Sequence, residues 1–146
     1  MMSVRAVLDT DVVVAALRSD RGASRQILLA ALERRLRVLL SVPLILEYEA
    51  VLGRPEQRRE TGLTLAEIDA LLNALAAVCE PIALRFLWRP QLRDPGDEMV
   101  LETAVYGRAD YLVTFNARHF AEAASQFAIR VVRPVELWRM MKERRP

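Results

Sequence analysis

The side chains in this sequence best suited to chemistry are carboxylates, and they fall where strands are expected to end. Asp9 follows the apolar run Val4–Leu8, and Asp11 lies in the turn beyond it. Glu47 sits on the helix expected after a second strand, and Asp94 and Asp97 flank the start of a later helix. Asn116 adds a neutral oxygen donor two residues after Thr114, where another strand ends. Two anions about 4 Å apart repel by roughly 4 kcal/mol at an effective dielectric near 20. Without a counter-charge, one of them takes up a proton. A hard divalent cation relieves that repulsion, and oxygen donors without histidine or cysteine favour Mg2+ or Mn2+ over zinc. One or two such ions activate water and hold a phosphodiester for in-line attack. The chemistry indicated is hydrolysis of a nucleic-acid backbone.

That chemistry requires a scaffold that brings distant acids together, and the apolar patterning supplies one. Val4–Leu8 is a compact apolar run, read as a buried strand, and Thr10 or Asp11 caps a helix reaching about Arg18. Ile27, Leu28, Ala31 and Leu32 fall at helical spacing, and Glu33–Arg37 closes that helix. Arg37–Ser41 is a second strand; Ser41 followed by Pro43 starts a helix that Gly53 ends. Gly53–Gly62 is a polar connector. Thr64 and Glu67 form a capping box ahead of the stripe Leu65, Ile68, Leu71, Leu72 and Leu75. Pro81–Leu87 is a short strand leading to the turn-rich RPQLRDPGD. A helix then runs from about Asp97 to Tyr106 with Val100, Leu101, Ala104 and Val105 inward. Strands at Asp110–Thr114 and Ile129–Val132 follow, and Pro134 begins a last helix carrying Val135, Trp138 and Met141. Such alternation predicts an α/β fold: a three-layer α/β/α sandwich around a mostly parallel sheet of four to five strands, with right-handed crossovers. Ligands bind outside the carboxyl ends of the strands in such sheets. Several of the acids converge there.

Composition narrows the class. The 146 residues suit a single domain, 1–146. With 53% apolar and 27% charged residues, 5 Gly and 7 Pro, the chain is neither disordered nor collagen-like. Lys142 is the only lysine among 21 basic residues, and the net charge of +2 does not by itself imply nucleic-acid binding. The nearly apolar stretch Val38–Leu46 contains Ser41 and Pro43 and falls short of the ~20 residues of a membrane span. No signal-peptide pattern opens the chain, and the lone Cys79 fits a reducing compartment, so the expected location is the cytoplasm, with no membrane partner.

The strings VLDTDVVVAAL, SVPLILEYEAVL, LRDPGDEMVLETAV and DYLVTFNARHF resemble, in order and rough spacing, those of PIN-domain ribonucleases. The likeness is greatest to the VapC-like branch of toxin components of toxin–antitoxin systems. It spans almost the whole chain. Carried over residue by residue, it implies that Asp9, Glu47, Asp97 and Asn116 are the catalytic, metal-holding positions, with Mg2+ or Mn2+ as cofactor. Thr114 then helps to position Asn116 or a substrate phosphate, and Asp94 and Asp11 are auxiliary. Two positions depart from the family pattern. Asp11 stands where Asn is common and adds a charge, whereas Asn116 removes one. The resemblance further implies an RNA substrate, a cognate antitoxin protein and a homodimer.

Each residue also has a plainer role: Asp9 and Asp11 as helix caps, Asp97 as a favourable N-terminal helix acid, and Asp94 as a turn residue. Glu47 and Glu49 lie about 200° apart around a helix, so only Glu47 is assigned to the site. His119, the only histidine, is read as a surface or packing residue, and Trp88 and Trp138 as core or interface residues. Arg18, Arg25, Arg58 and Arg59 are candidates for holding RNA phosphates, each weighed against an ordinary solvated face. A dehalogenase-type phosphatase or receiver domain fails on the absence of a strand-end lysine. The rival that remains is a catalytically inactive PIN-like module binding RNA or a protein partner, which the neutral Asn116 keeps open.

Overall fold

The computed structural model describes residues 4–84 and 91–143. In chain order the elements are β1 (Arg5–Leu8), α1 (Thr10–Arg18), α2 (Ala23–Leu32), β2 (Arg37–Leu40), α3 (Val42–Leu52), α4 (Pro55–Thr61) and α5 (Leu65–Val78). They continue as β3 (Glu80–Pro81), α6 (Pro95–Tyr106), β4 (Tyr111–Val113), α7 (Ala117–Ser125), β5 (Arg130–Val132) and α8 (Pro134–Glu143). The strands form one five-stranded sheet in the order β3-β2-β1-β4-β5, and every neighbouring pair is parallel. This is the α/β architecture expected from the alternation of short apolar runs with helices.

The central strands are apolar throughout because both faces are covered. Ala6, Val7 and Leu8 of β1, Val38, Leu39 and Leu40 of β2, and Leu112 and Val113 of β4 are all buried. α6 packs on β1, β2 and β4 and meets α3 and α7, while α1, α2, α3 and α5 pack with one another and α8 lies on α2. Among the described residues no single helix is long and apolar enough to cross a membrane.

Local chemistry sets the boundaries. The Ser41 hydroxyl caps α3 by accepting from the Leu44 N–H at 3.3 Å, and Thr64 and Glu67 close a reciprocal capping box on α5. Gly107, which ends α6, is required by close approach. A Cβ there would lie 2.7 Å from Leu39 Cδ1, 2.9 Å from the Thr103 carbonyl and 3.0 Å from Ile82 Cδ1. Gly107→Ala therefore costs about 1–3 kcal/mol by overpacking. Urea denaturation checks this, and an unchanged midpoint would show that the β2–α6 contact yields freely.

Several expectations are corrected. Gly53–Gly62 holds a helix, α4, between Pro55 at its first position and Gly62 in the left-handed region (φ 74°). It buries none of its residues, so it has no apolar stripe to read. The segment between β4 and β5 likewise contains α7, which the sequence reading did not assign. The strand expected at Pro81–Leu87 comprises only Glu80–Pro81, with positions 85–87 outside the described residues. Leu65 of the α5 stripe is 58% exposed, whereas Ile68, Leu72 and Leu75 are core. On α6, Thr103 is buried and Val105 only partly so. Asp9, not Thr10 or Asp11, caps α1.

Candidate active site

The strand order places a reversal of chain direction between β1 and β4. From β1 the chain moves out to β2 and β3, then returns to β4 on the other side of β1. A crevice opens at the carboxyl ends of two such strands, and ligands bind there. The residues just past those ends are Asp9 and the Thr114–Asn116 turn.

Asp9 is buried and fixed. Its backbone N–H continues the β1–β4 ladder by donating to the Val113 carbonyl at 2.9 Å. Its Oδ1 accepts from the Thr10 N–H at 2.8 Å, and its Oδ2 accepts from the Thr114 hydroxyl at 2.7 Å. Beneath it, the buried Tyr48 hydroxyl donates to the Leu8 carbonyl and pins the end of β1. Thr114 is fully buried, and its Oγ1 also accepts from the Asn116 N–H at 2.9 Å. Asp11 Oδ2 accepts from the Asn116 side-chain amide at 2.9 Å and from the Phe115 N–H at 3.2 Å. Four residues far apart in sequence thus form one hydrogen-bonded unit.

The other acids come from the facing helices. Asp94 caps α6, its Oδ1 accepting from the Gly96 N–H at 2.7 Å and the Asp97 N–H at 3.1 Å. Glu47, on α3, reaches this helix start: a Cβ on Gly96 would lie 3.4 Å from Glu47 Oε1. Asp97 lies one residue further into α6, and its Oδ2 meets His119 Nδ1 at 3.0 Å. His119 is the contact the sequence reading missed. It lies one helical turn beyond Asn116 at the start of α7, so recognising that helix was the signal that could have found it.

The electrostatics follow from this crowding. Burial first, then the charges of Asp11 and Asp97, push the Asp9 carboxyl up to about 7, against the hydrogen bonds from Thr114 and Thr10. Burial, with a smaller contribution from Asp97, also raises Asp11, and burial together with the Asp94 charge raises Asp97 while His119 opposes it. Three carboxyls are therefore displaced in one direction. As they stand, no three His, Cys, Asp or Glu side chains among the described residues are arranged to hold a metal ion. The donor chemistry nevertheless fits a hard cation: the residues offer oxygens, and Asp11 Oδ1 is buried without a hydrogen-bond partner.

The arginine candidates are largely engaged elsewhere. Arg18 pairs with Glu60, Arg25 Nε donates to the Ala16 carbonyl, and Arg58 Nε donates to the Leu63 carbonyl at 3.4 Å, while Arg59 is exposed. Trp138 is half-buried beside Lys142, and Trp88 lies outside the described residues.

A family model for the PIN domain matches residues 5–118, which takes in Asp9, Glu47, Asp97 and Asn116 and stops one residue before His119. The comparison with curated proteins gives no match.

Proposed function

The chain belongs to the PIN domain family, and on that premise we propose that it is a divalent-metal-dependent ribonuclease that hydrolyses RNA phosphodiester bonds. PIN domains are generally nucleases and usually use divalent metals. In this reading Asp9, Glu47 and Asp97 hold Mg2+ or Mn2+, with Asn116, Asp11 or Asp94 completing or orienting the shell. The observation that carries it is the mutually repelling set of buried Asp9 and half-buried Asp11 and Asp97, gathered where β1 and β4 end and α6 begins, with one Asp11 oxygen left without a donor.

When bound, the cation supplies an activated water and offsets charge developing on the phosphodiester. The protein's own part is to hold its donors still. Thr114 and the Thr10 N–H fix both oxygens of Asp9, so that side chain meets a ligand without losing rotamer freedom. Asp94 is engaged in capping α6 and thereby sets the first turn on which Asp97 stands. His119 orients Asp97 through Nδ1. His119→Ala lowers the cleavage rate by about 10–100-fold, the usual cost of losing a partner that orients a ligand. Steady-state kinetics check this, and an unchanged rate would make the imidazole a bystander.

EDTA treatment of the purified protein, followed by Mg2+ or Mn2+, tests the whole reading: cleavage of RNA is lost and then restored. RNA binding without cleavage at any metal concentration would instead favour the inactive PIN-like module, for which the neutral Asn116 speaks.

The same proposal extends to biology. The four strings that resemble the VapC-like branch support a toxin of a toxin–antitoxin pair, acting in the cytoplasm as a homodimer of single-domain chains and restrained by a cognate antitoxin protein. Val42 (70% exposed), Leu46 (56%) and Leu65 (58%) on the packed helices α3 and α5 are apolar surface suited to such a partner. Co-expression with the neighbouring open reading frame tests the role: growth arrest by this chain alone, relieved by the neighbour.

A further inference from the structure

Asp11 and Asn116 are left open by the reading above, and their hydrogen bonds distinguish them. The Asn116 amide and the Phe115 N–H both donate to Asp11 Oδ2, at 2.9 and 3.2 Å. Oδ1 of the same carboxylate is buried and receives nothing. A buried acceptor without a donor is rare in native proteins and points to a missing ion or water. Asp9 stands within hydrogen-bonding reach of Asp11 and can donate to it only while it holds a proton; once Asp9 is ionised, it and the charge of Asp97 repel that carboxylate instead. A cation suits an oxygen so placed. Asn116, by contrast, turns its N–H toward Asp11 and carries no charge of its own to attract a hard ion.

We propose that Asp11, rather than Asn116, supplies the carboxylate that completes the cation site, and that Asn116 is a positioning residue holding Asp11 through its amide. This rests on the metal-dependent reading above and goes beyond it by stating which of the two side chains meets the ion.

Asp11→Asn separates the roles because it preserves shape. The new side chain keeps an oxygen to accept from Phe115 and Asn116 and offers an N–H where the orphaned oxygen stands. In EDTA the thermal midpoint of Asp11→Asn rises by roughly 3 °C, while its Mn2+ affinity by calorimetry falls on the order of a hundredfold. Asn116→Ala, which removes only an outer partner, weakens Mn2+ by about tenfold. Asn116→Asp sets two carboxylates against each other and lowers the metal-free midpoint. Combining it with Asp11→Asn removes the charge repulsion and recovers part of that midpoint.

The assignment is overturned if Asn116→Ala weakens Mn2+ more than Asp11→Asn does, or if Asp11→Asn lowers the metal-free midpoint, as a purely structural carboxylate would. If Asp9→Asn abolishes Mn2+ binding and Asp11→Asn leaves it intact, this inference fails and the broader reading stands. A wild-type protein that binds no Mn2+ ends both.

Discussion

Asp97→Asn abolishes metal-dependent RNA cleavage while leaving the protein folded. The Asp97 side chain is only 18% exposed, stands at the third position of α6, and is held by His119 at 3.0 Å. The amide has the same volume and retains an oxygen, so packing and the start of α6 are preserved. What disappears is the anion. Loss of one preorganised charge-stabilising group typically costs 10²–10³-fold in turnover, about 3–4 kcal/mol, and a residue that also holds the cation loses at least that. The metal-free mutant is no less stable than the wild type, because burial and then the repulsion from Asp94, which raise Asp97 against the pull of His119, no longer act on a charge. Asp94→Asn is the informative contrast. Its role is to cap α6, and asparagine caps as well as aspartate, so its cleavage rate changes far less. Equal cutting by Asp97→Asn and wild type would sink the nuclease proposal; equal loss in the two variants would show that the first turn of α6, not the charge on Asp97, is what matters.

The legible parts of this molecule are those where one physical preference dominates. β1, β2 and β4 are covered on both faces, so Val4–Leu8, Arg37–Ser41 and Asp110–Thr114 read as apolar runs whose polar stops mark the strand ends. Ser41 with Pro43, and Thr64 with Glu67, start helices for reasons contained within a single turn. At DTD the local signal is degenerate, since all three residues can cap a helix. The extended ψ of 152° and the bond from the Thr114 hydroxyl select Asp9, and Thr114 is remote in sequence. α4 was illegible because an exposed helix carries no hydrophobic period, and its boundaries rest on Pro55 and Gly62 alone. α7 is a different case. Phe120, Ala123 and Ala124 do form a buried stripe, but it is short and set among polar residues, and His119 was lost with it. The strand order, and with it the meeting of Asp9, Asp11 and Asp97, depends on crossovers that no local window contains.

Raising the pH from about 5 to about 8 destabilises the metal-free protein, and a divalent cation reverses the loss. Asp9 in the folded chain has its carboxyl raised to about 7, through burial first and then the charges of Asp11 and Asp97, whereas an unfolded Asp titrates near 3.9. Between those values the folded state holds a proton that the unfolded state has released, so stability falls as pH rises through the window. From pH 5 to the folded value near 7 about two units are crossed, at about 1.4 kcal/mol each, so the loss from Asp9 is about 3 kcal/mol. Asp11 and Asp97 shift in the same direction and deepen it. Glu80 acts oppositely, because its hydrogen bond to Arg5 lowers its carboxyl. Its contribution is lost only as pH falls below the ordinary glutamate range, outside the window. A cation that binds the ionised cluster competes with the proton, so Mn2+ stabilises the protein more at pH 8 than at pH 5. Urea denaturation at pH 5, 6.5 and 8, in EDTA and in Mn2+, measures both effects, and Asp9→Asn flattens the metal-free profile. If metal-free stability instead climbs from pH 5 to 8, or Asp9→Asn leaves the slope unchanged, Asp9 is not the buried anion on which the site depends.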